Sequence, residues 1–129
     1  MTISNMIVFF VISLTLVATL GCPTDCTCST GDFPTANCYG RGLETISFNF
    51  PEDTYSILLD RNNIPGIPSG VFANLPYLNK IDMSYNKIKT IEYNAFGESS
   101  SLQILRLQNN PMTKIEDTYF KHLRNLSYL

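Results

Sequence analysis

The sequence predicts an α/β-type repeat solenoid: a curved stack of similar units whose short strands pair into one parallel sheet, joined by irregular or 3-10 return segments. Three observations predict it. The apolar set Leu78, Ile81, Met83, Ile88, Ile91 and Phe96 recurs 24 residues later as Leu102, Leu105, Leu107, Met112, Ile115 and Phe120, and 24 residues earlier as Ile57, Leu59, Ile64, Ile67 and Phe72. Within the copies, Ile81-Asp82-Met83 and Leu105-Arg106-Leu107 alternate with period two, the mark of a short strand with one buried face. An asparagine, Asn62, Asn86 or Asn110, stands where each strand must turn. Its short amide can bond backbone groups that a buried turn would leave unpaired.

Taken in order, residues 1–21 read as a secretory leader. Ile7 to Leu20 is apolar apart from Ser13, Thr15 and Thr19, and Thr19-Leu20-Gly21 offers a small-residue cleavage site before Cys22, although the first five residues lack Lys or Arg. A membrane span needs about 20 apolar residues, and this run falls short. A lipid on Cys22 fits poorly with Thr19 where such sites want a branched apolar residue. Cys22, Cys26, Cys28 and Cys38 then fall within 17 positions. An even count behind a leader argues for disulfides, and four cysteines permit three pairings. Zinc is disfavoured, since secreted chains rarely keep free thiolates and no histidine is near.

Residues 22–53 thus form a cysteine-rich cap and a shortened first repeat. Over 39–53, Leu43 and Ile46 copy the step of Ile64 and Ile67 before Pro51 interrupts it. Residues 54–129 hold three full copies and, at Leu126 and Leu129, the start of a fourth. Pro65, Pro68, Pro76 and Pro111 fall in return segments, where no ladder hydrogen bond is lost. One copy alone cannot offset the entropy of ordering its backbone; stacked copies bury each other.

The wording L-x-x-L-x-L-x-x-N-x-L at this interval, with Phe near the end of each copy and Ile67-Pro68-Ser69-Gly70-Val71-Phe72 followed by Leu75, resembles the leucine-rich repeats of extracellular proteins. The resemblance runs from Cys22 to Leu129 and departs at Thr54 and Ser99, where leucine is expected. The run Cys22-Pro23-Thr24-Asp25-Cys26-Thr27-Cys28, with Cys38 beyond, is similar to the N-terminal cap of that family. That similarity implies the pairs Cys22–Cys28 and Cys26–Cys38. Such a cap covers the open edge of the first strand, and each crosslink contributes about 2–4 kcal/mol.

Function follows from what is present and what is missing. With 9 basic and 11 acidic residues the formal charge is −2, and no basic stripe suits a nucleic acid. The single histidine, His122, has no nucleophile or metal partner in the pattern, and Glu116-Asp117 reads as a solvated pair, too few oxygens for calcium. The sequence therefore implies no enzyme, no cofactor and no metal. Residues between the buried apolar ones point out of the sheet. Those expected to meet a ligand are Leu58, Asp60 and Arg61 in the first copy, Asp82, Ser84 and Tyr85 in the second, and Arg106, Gln108 and Asn109 in the third. Ser56, Lys80 and Ile104 begin the same rows. The resemblance implies that this surface is concave and recognises a protein or glycan; Arg61, Tyr85 and Arg106, residue types that anchor interfaces, would form its centre. Asp82 beside Arg106 can equally be a cross-strand charge pair. Asn125-Leu126-Ser127 is a glycosylation sequon. The expected setting is extracellular, secreted or at the cell surface. Ending at Leu129 without a second cysteine cluster, the chain reads as part of a longer receptor or adhesion protein, the alternative being a structural spacer that dimerises through its uncapped end.

Overall fold

The computed structural model describes residues 21–129; the leader assigned to residues 1–21 lies, apart from Gly21, outside the described residues. One five-stranded sheet organises them: β1 (Thr27–Cys28), β2 (Thr35–Asn37), β3 (Ser56–Leu58), β5 (Lys80–Asp82) and β7 (Ile104–Arg106), side by side in that order. β1 runs antiparallel to β2 and occupies the edge, and every other pairing is parallel. The register aligns Ala36, Ile57, Ile81 and Leu105 in one row, all buried in the core. Period-two alternation places these side chains beneath the sheet, as the apolar spacing requires.

The return segments are more regular than the sequence suggests. Besides a 3-10 turn at Asp117–Tyr119, they contain β4 (Gly66–Ile67) and β6 (Thr90–Ile91), which pair in parallel. Gly66 permits this approach, because a Cβ there would lie 2.9 Å from Thr90 Oγ1. Behind them the rings of Phe50, Phe72, Phe96 and Phe120 follow one another at 6.0, 5.9 and 6.2 Å between centroids. The spacing is that of offset aromatic pairs, and it gives the stack an apolar spine.

Each asparagine ties its copy to the one before. Asn86 donates from Nδ2 to the carbonyls of Leu59 and Met83 at 2.9 and 3.1 Å, while its Oδ1 accepts the Ile64 N–H. Asn110 repeats this with Met83, Leu107 and Ile88, and Asn62 with Cys38, Leu59 and Leu43, adding the Arg41 N–H. Among the described residues no buried side-chain polar atom lacks a partner. Thr54 and Ser99 fill their leucine positions while buried; the Ser99 hydroxyl is satisfied by the carbonyls of Phe72 and Phe96.

Two expectations need correcting. The short first repeat does not begin at residue 39. Its strand is β2, inside the cysteine segment, with Ala36 opposite Ile57. Cap and first repeat are one rung, in which Cys38 takes the inward place next to Ala36. Cys22 is bonded to Cys28 and Cys26 to Cys38, with Cα separations of 5.8 and 4.4 Å. The third copy is also not buried like the other two. Met112 and Phe120 are half-buried and Ile115 is exposed, because no complete copy follows within the 129 residues to cover them.

Candidate binding face

The outward side of the five-stranded sheet is built from columns fixed by the register. Thr35, Ser56, Lys80 and Ile104 form one, continued by the isolated bridge from Ile104 to Tyr128. Asn37, Leu58, Asp82 and Arg106 form the next. The sequence placed Leu58, Asp82 and Arg106 together, and the strands bring them together.

Beyond the strands, one backbone position decides the character of the face. Arg61, Tyr85 and Asn109 have φ of 56°, 55° and 59°, and Gly40 stands at 58° at the matching point of the cap rung. A left-handed turn here swings the chain so that the next residue of each full copy, the asparagine, points inward. For asparagine and glycine this conformation is easy; for arginine and tyrosine it costs about 1–2 kcal/mol. The turn leaves both side chains on the outward side, where the Arg61 guanidinium lies 4.5 Å from the Tyr85 ring centroid. Such a stack returns about 0.5–1 kcal/mol at an exposed site. Tyr85 still leaves 47% of its surface open, and Arg61 is exposed.

Asp82 and Ser84 differ from expectation. Both belong to the outward face, yet they are 7% and 4% exposed, because they satisfy each other under longer neighbours. Asp82 Oδ1 accepts the Ser84 hydroxyl at 2.6 Å and its N–H at 3.1 Å; Oδ2 accepts from Arg106 Nη1 at 3.4 Å. The Asp82–Arg106 pair is thus a cross-strand bridge, and with Arg106 partly open its contribution is at most about 1 kcal/mol. Arg106 also sits over Tyr128, 5.9 Å from the ring centroid. Leu58 and Asp60 are half-buried, Gln108 and Asn109 exposed. Burial, and next to it the negative charge of Asp82, raise the Asp60 carboxyl from its ordinary value, against its own backbone N–H, Arg61 and Lys80.

Tyr39 is a surface residue the sequence did not reveal. The Gly40 N–H donates to the Asp60 carbonyl at 3.1 Å, as Arg61 does to Ser84, so Tyr39 stands beside Asp60 in the register, exposed. Its signal, Tyr39-Gly40 just past a strand, becomes readable only once β2 is known. Among the described residues there is no group of three or more His, Cys, Asp or Glu able to hold a metal, and no helix long and apolar enough to cross a membrane.

The Leucine rich repeat family model matches residues 53–112, the stretch that carries β3 to β7. Over these residues the chain folds as a leucine-rich repeat solenoid. Its zebrafish (Danio rerio) relative, leucine-rich repeat-containing protein 3, is 39% identical over 109 residues, covering 83% of this chain and 41% of the relative. Mouse (Mus musculus) osteomodulin is 36% identical over 110 residues, 83% of this chain and 26% of its own length. The chain thus spans less than half the length of these relatives. In fold it is similar to human trophoblast glycoprotein (Wnt-activated inhibitory factor 1), with a TM-score of 0.70 and 24% identity over 84% of this chain and 39% of that one. Leucine-rich repeats build extended concave surfaces of the kind that bind other proteins, and here that surface is the face just described.

Proposed function

We propose that this chain is an extracellular recognition module that binds a protein ligand on its concave sheet, with Arg61 and Tyr85 at the centre and Arg106 at the flank. Residues 1–21 act as its leader, 22–53 as its cap with the first rung, and 54–129 as the repeats that carry the face. The observation behind this reading is the Arg61–Tyr85 stack: two large side chains kept at left-handed positions where asparagine or glycine would be easier, both left open to solvent. Backbone strain of this kind is retained where it positions a functional side chain. An aromatic with an arginine on it is also the typical anchor of a protein interface. A glycan ligand would use the same face, through Tyr39 and Tyr85.

The test begins by screening the soluble chain against a panel of extracellular ectodomains. For any partner found, Tyr85→Asn lowers affinity at least tenfold, as expected of an anchor, while folding stability holds or rises by up to about 1 kcal/mol because asparagine tolerates the turn. Tyr93→Asn, at an exposed tyrosine of the return side, leaves affinity unchanged. Equal affinity of the Tyr85 variant and the parent sinks the proposal. A second reading, association of two copies through exposed Ile115, Tyr128 and Leu129, predicts a dimer in sedimentation equilibrium that Ile115→Lys dissolves; a monomer at all concentrations removes it.

A further inference from the structure

Asn125 lies on the flank of the stack, three residues before Tyr128, whose bridge to Ile104 extends the sheet. It is the acceptor of the sequon Asn125-Leu126-Ser127 and is exposed. Its Nδ2 donates to the Ser100 carbonyl at 2.6 Å. A primary amide carries two hydrogens on that nitrogen, and this bond uses one. The Ser127 hydroxyl donates to the Gln103 carbonyl at 3.2 Å, and the Ser127 N–H to the same oxygen at 2.9 Å. Two disulfides join all four cysteines, the mark of an oxidising compartment, where N-glycosylation also takes place.

We propose that Asn125 carries an N-linked oligosaccharide, added before the segment from Asn125 to Tyr128 docks on the third copy. The donor is an oligosaccharide on a lipid pyrophosphate. A bond forms between Nδ2 and the anomeric carbon, the bond from that carbon to the pyrophosphate oxygen breaks with its electron pair, and the amide gives up one proton. The remaining N–H still serves the Ser100 carbonyl, so the finished rung accepts the sugar without losing its hydrogen bond. The order follows from the contacts: once docked, the acceptor amide and the sequon hydroxyl are both held against the third copy, at Ser100 and Gln103, and cannot turn toward a transferase. The sugar then projects from the flank, off the columns that hold Arg61 and Tyr85, so this modification is independent of the binding reading.

The test expresses the full chain in glycosylating secretory cells, once with its own first 21 residues and once behind a heterologous leader. Treatment with peptide-N-glycosidase is expected to lower the mass in one step and to convert Asn125 to aspartate in the peptide map. The step disappears in Asn125→Gln and in Ser127→Ala and survives in Ser127→Thr. Ser127→Ala keeps the Asn125–Ser100 bond, so normal secretion of an unshifted Ser127→Ala chain separates loss of sugar from loss of fold. Secreted protein without a mass step from either leader, or a step that persists in Asn125→Gln, overturns the site. Bacterially produced chain, refolded with its disulfides, is expected to be a poor acceptor for purified transferase and lipid-linked donor, and to become one when unfolded; equal modification of both forms overturns the order.

Discussion

Ile67, Ile91 and Ile115 hold the same place in three successive copies, yet they are 1%, 4% and 61% exposed. The two ends of the molecule explain the contrast. At the first end β1 lies antiparallel along β2, two disulfides hold it there, and Leu43, Ile46 and Phe50 cover the first full copy. At the other, Met112 is only half-covered and Ile115 and Leu129 are exposed, with no further complete copy within the 129 residues. A repeat residue is therefore buried by its successor rather than by its own identity, as expected where each rung touches only its neighbours.

Three measurements sharpen that contrast, beginning with the largest effect. Ile91→Ala is expected to cost about 3 kcal/mol, the range for opening a cavity at a closed site, whereas Ile115→Ala costs about 0.5 kcal/mol or less. Paired urea melts read both, and similar losses would mean that the open end is as well packed as the middle. Asn86→Ala follows. It bares the Ile64 N–H and removes the bonds to the Leu59, Met83 and Ser84 carbonyls, at a cost of about 2–3 kcal/mol. Asn110→Ala, half-buried on the open rung, costs about 1 kcal/mol. Reversal of that order would break the comparison.

The smallest effect belongs to Asp60. Its carboxyl titrates higher when folded than when unfolded, so the folded state binds more protons between the two values and stability falls as pH rises through that window. The contribution is complete below the unfolded value and lost above the folded one. Asp60→Asn should flatten the fall in melting temperature as pH rises from the unfolded carboxyl's value through the higher folded one, and hold or slightly raise it at pH 7. A steeper fall in the variant would show that Asp60 is stabilised as the anion.

Much of this was legible in the chain. The 24-residue interval located β3, β5 and β7, and the asparagine stood at each turn, because strand period and turn chemistry are local. β2 escaped notice because its rung is shorter and Cys38 replaces the leucine that would have marked it. β4 and β6 were hidden because two-residue strands have no period to read. On the outward face, alternation tells which way Asp82 and Ser84 point, but not that Arg106 and each other would cover them; depth depends on neighbouring rungs. The same reason kept Tyr39 out of sight and made Ile115 look like core. Arg61 and Tyr85 could be placed outward, whereas their left-handed backbone and mutual stacking belong to the three-dimensional turn.

The asparagine contacts also have a direction. Asn62 reaches back to Cys38, Asn86 to Leu59 and Asn110 to Met83, each to a carbonyl made earlier in synthesis. A nascent chain emerging from the ribosome would therefore always find its anchor already in position, so the molecule can be completed one storey at a time from the disulfide foundation upward. Circular permutation that puts the cysteine segment last would reverse that order at the Asn62–Cys38 contact alone, leaving Asn86 and Asn110 to reach back as before.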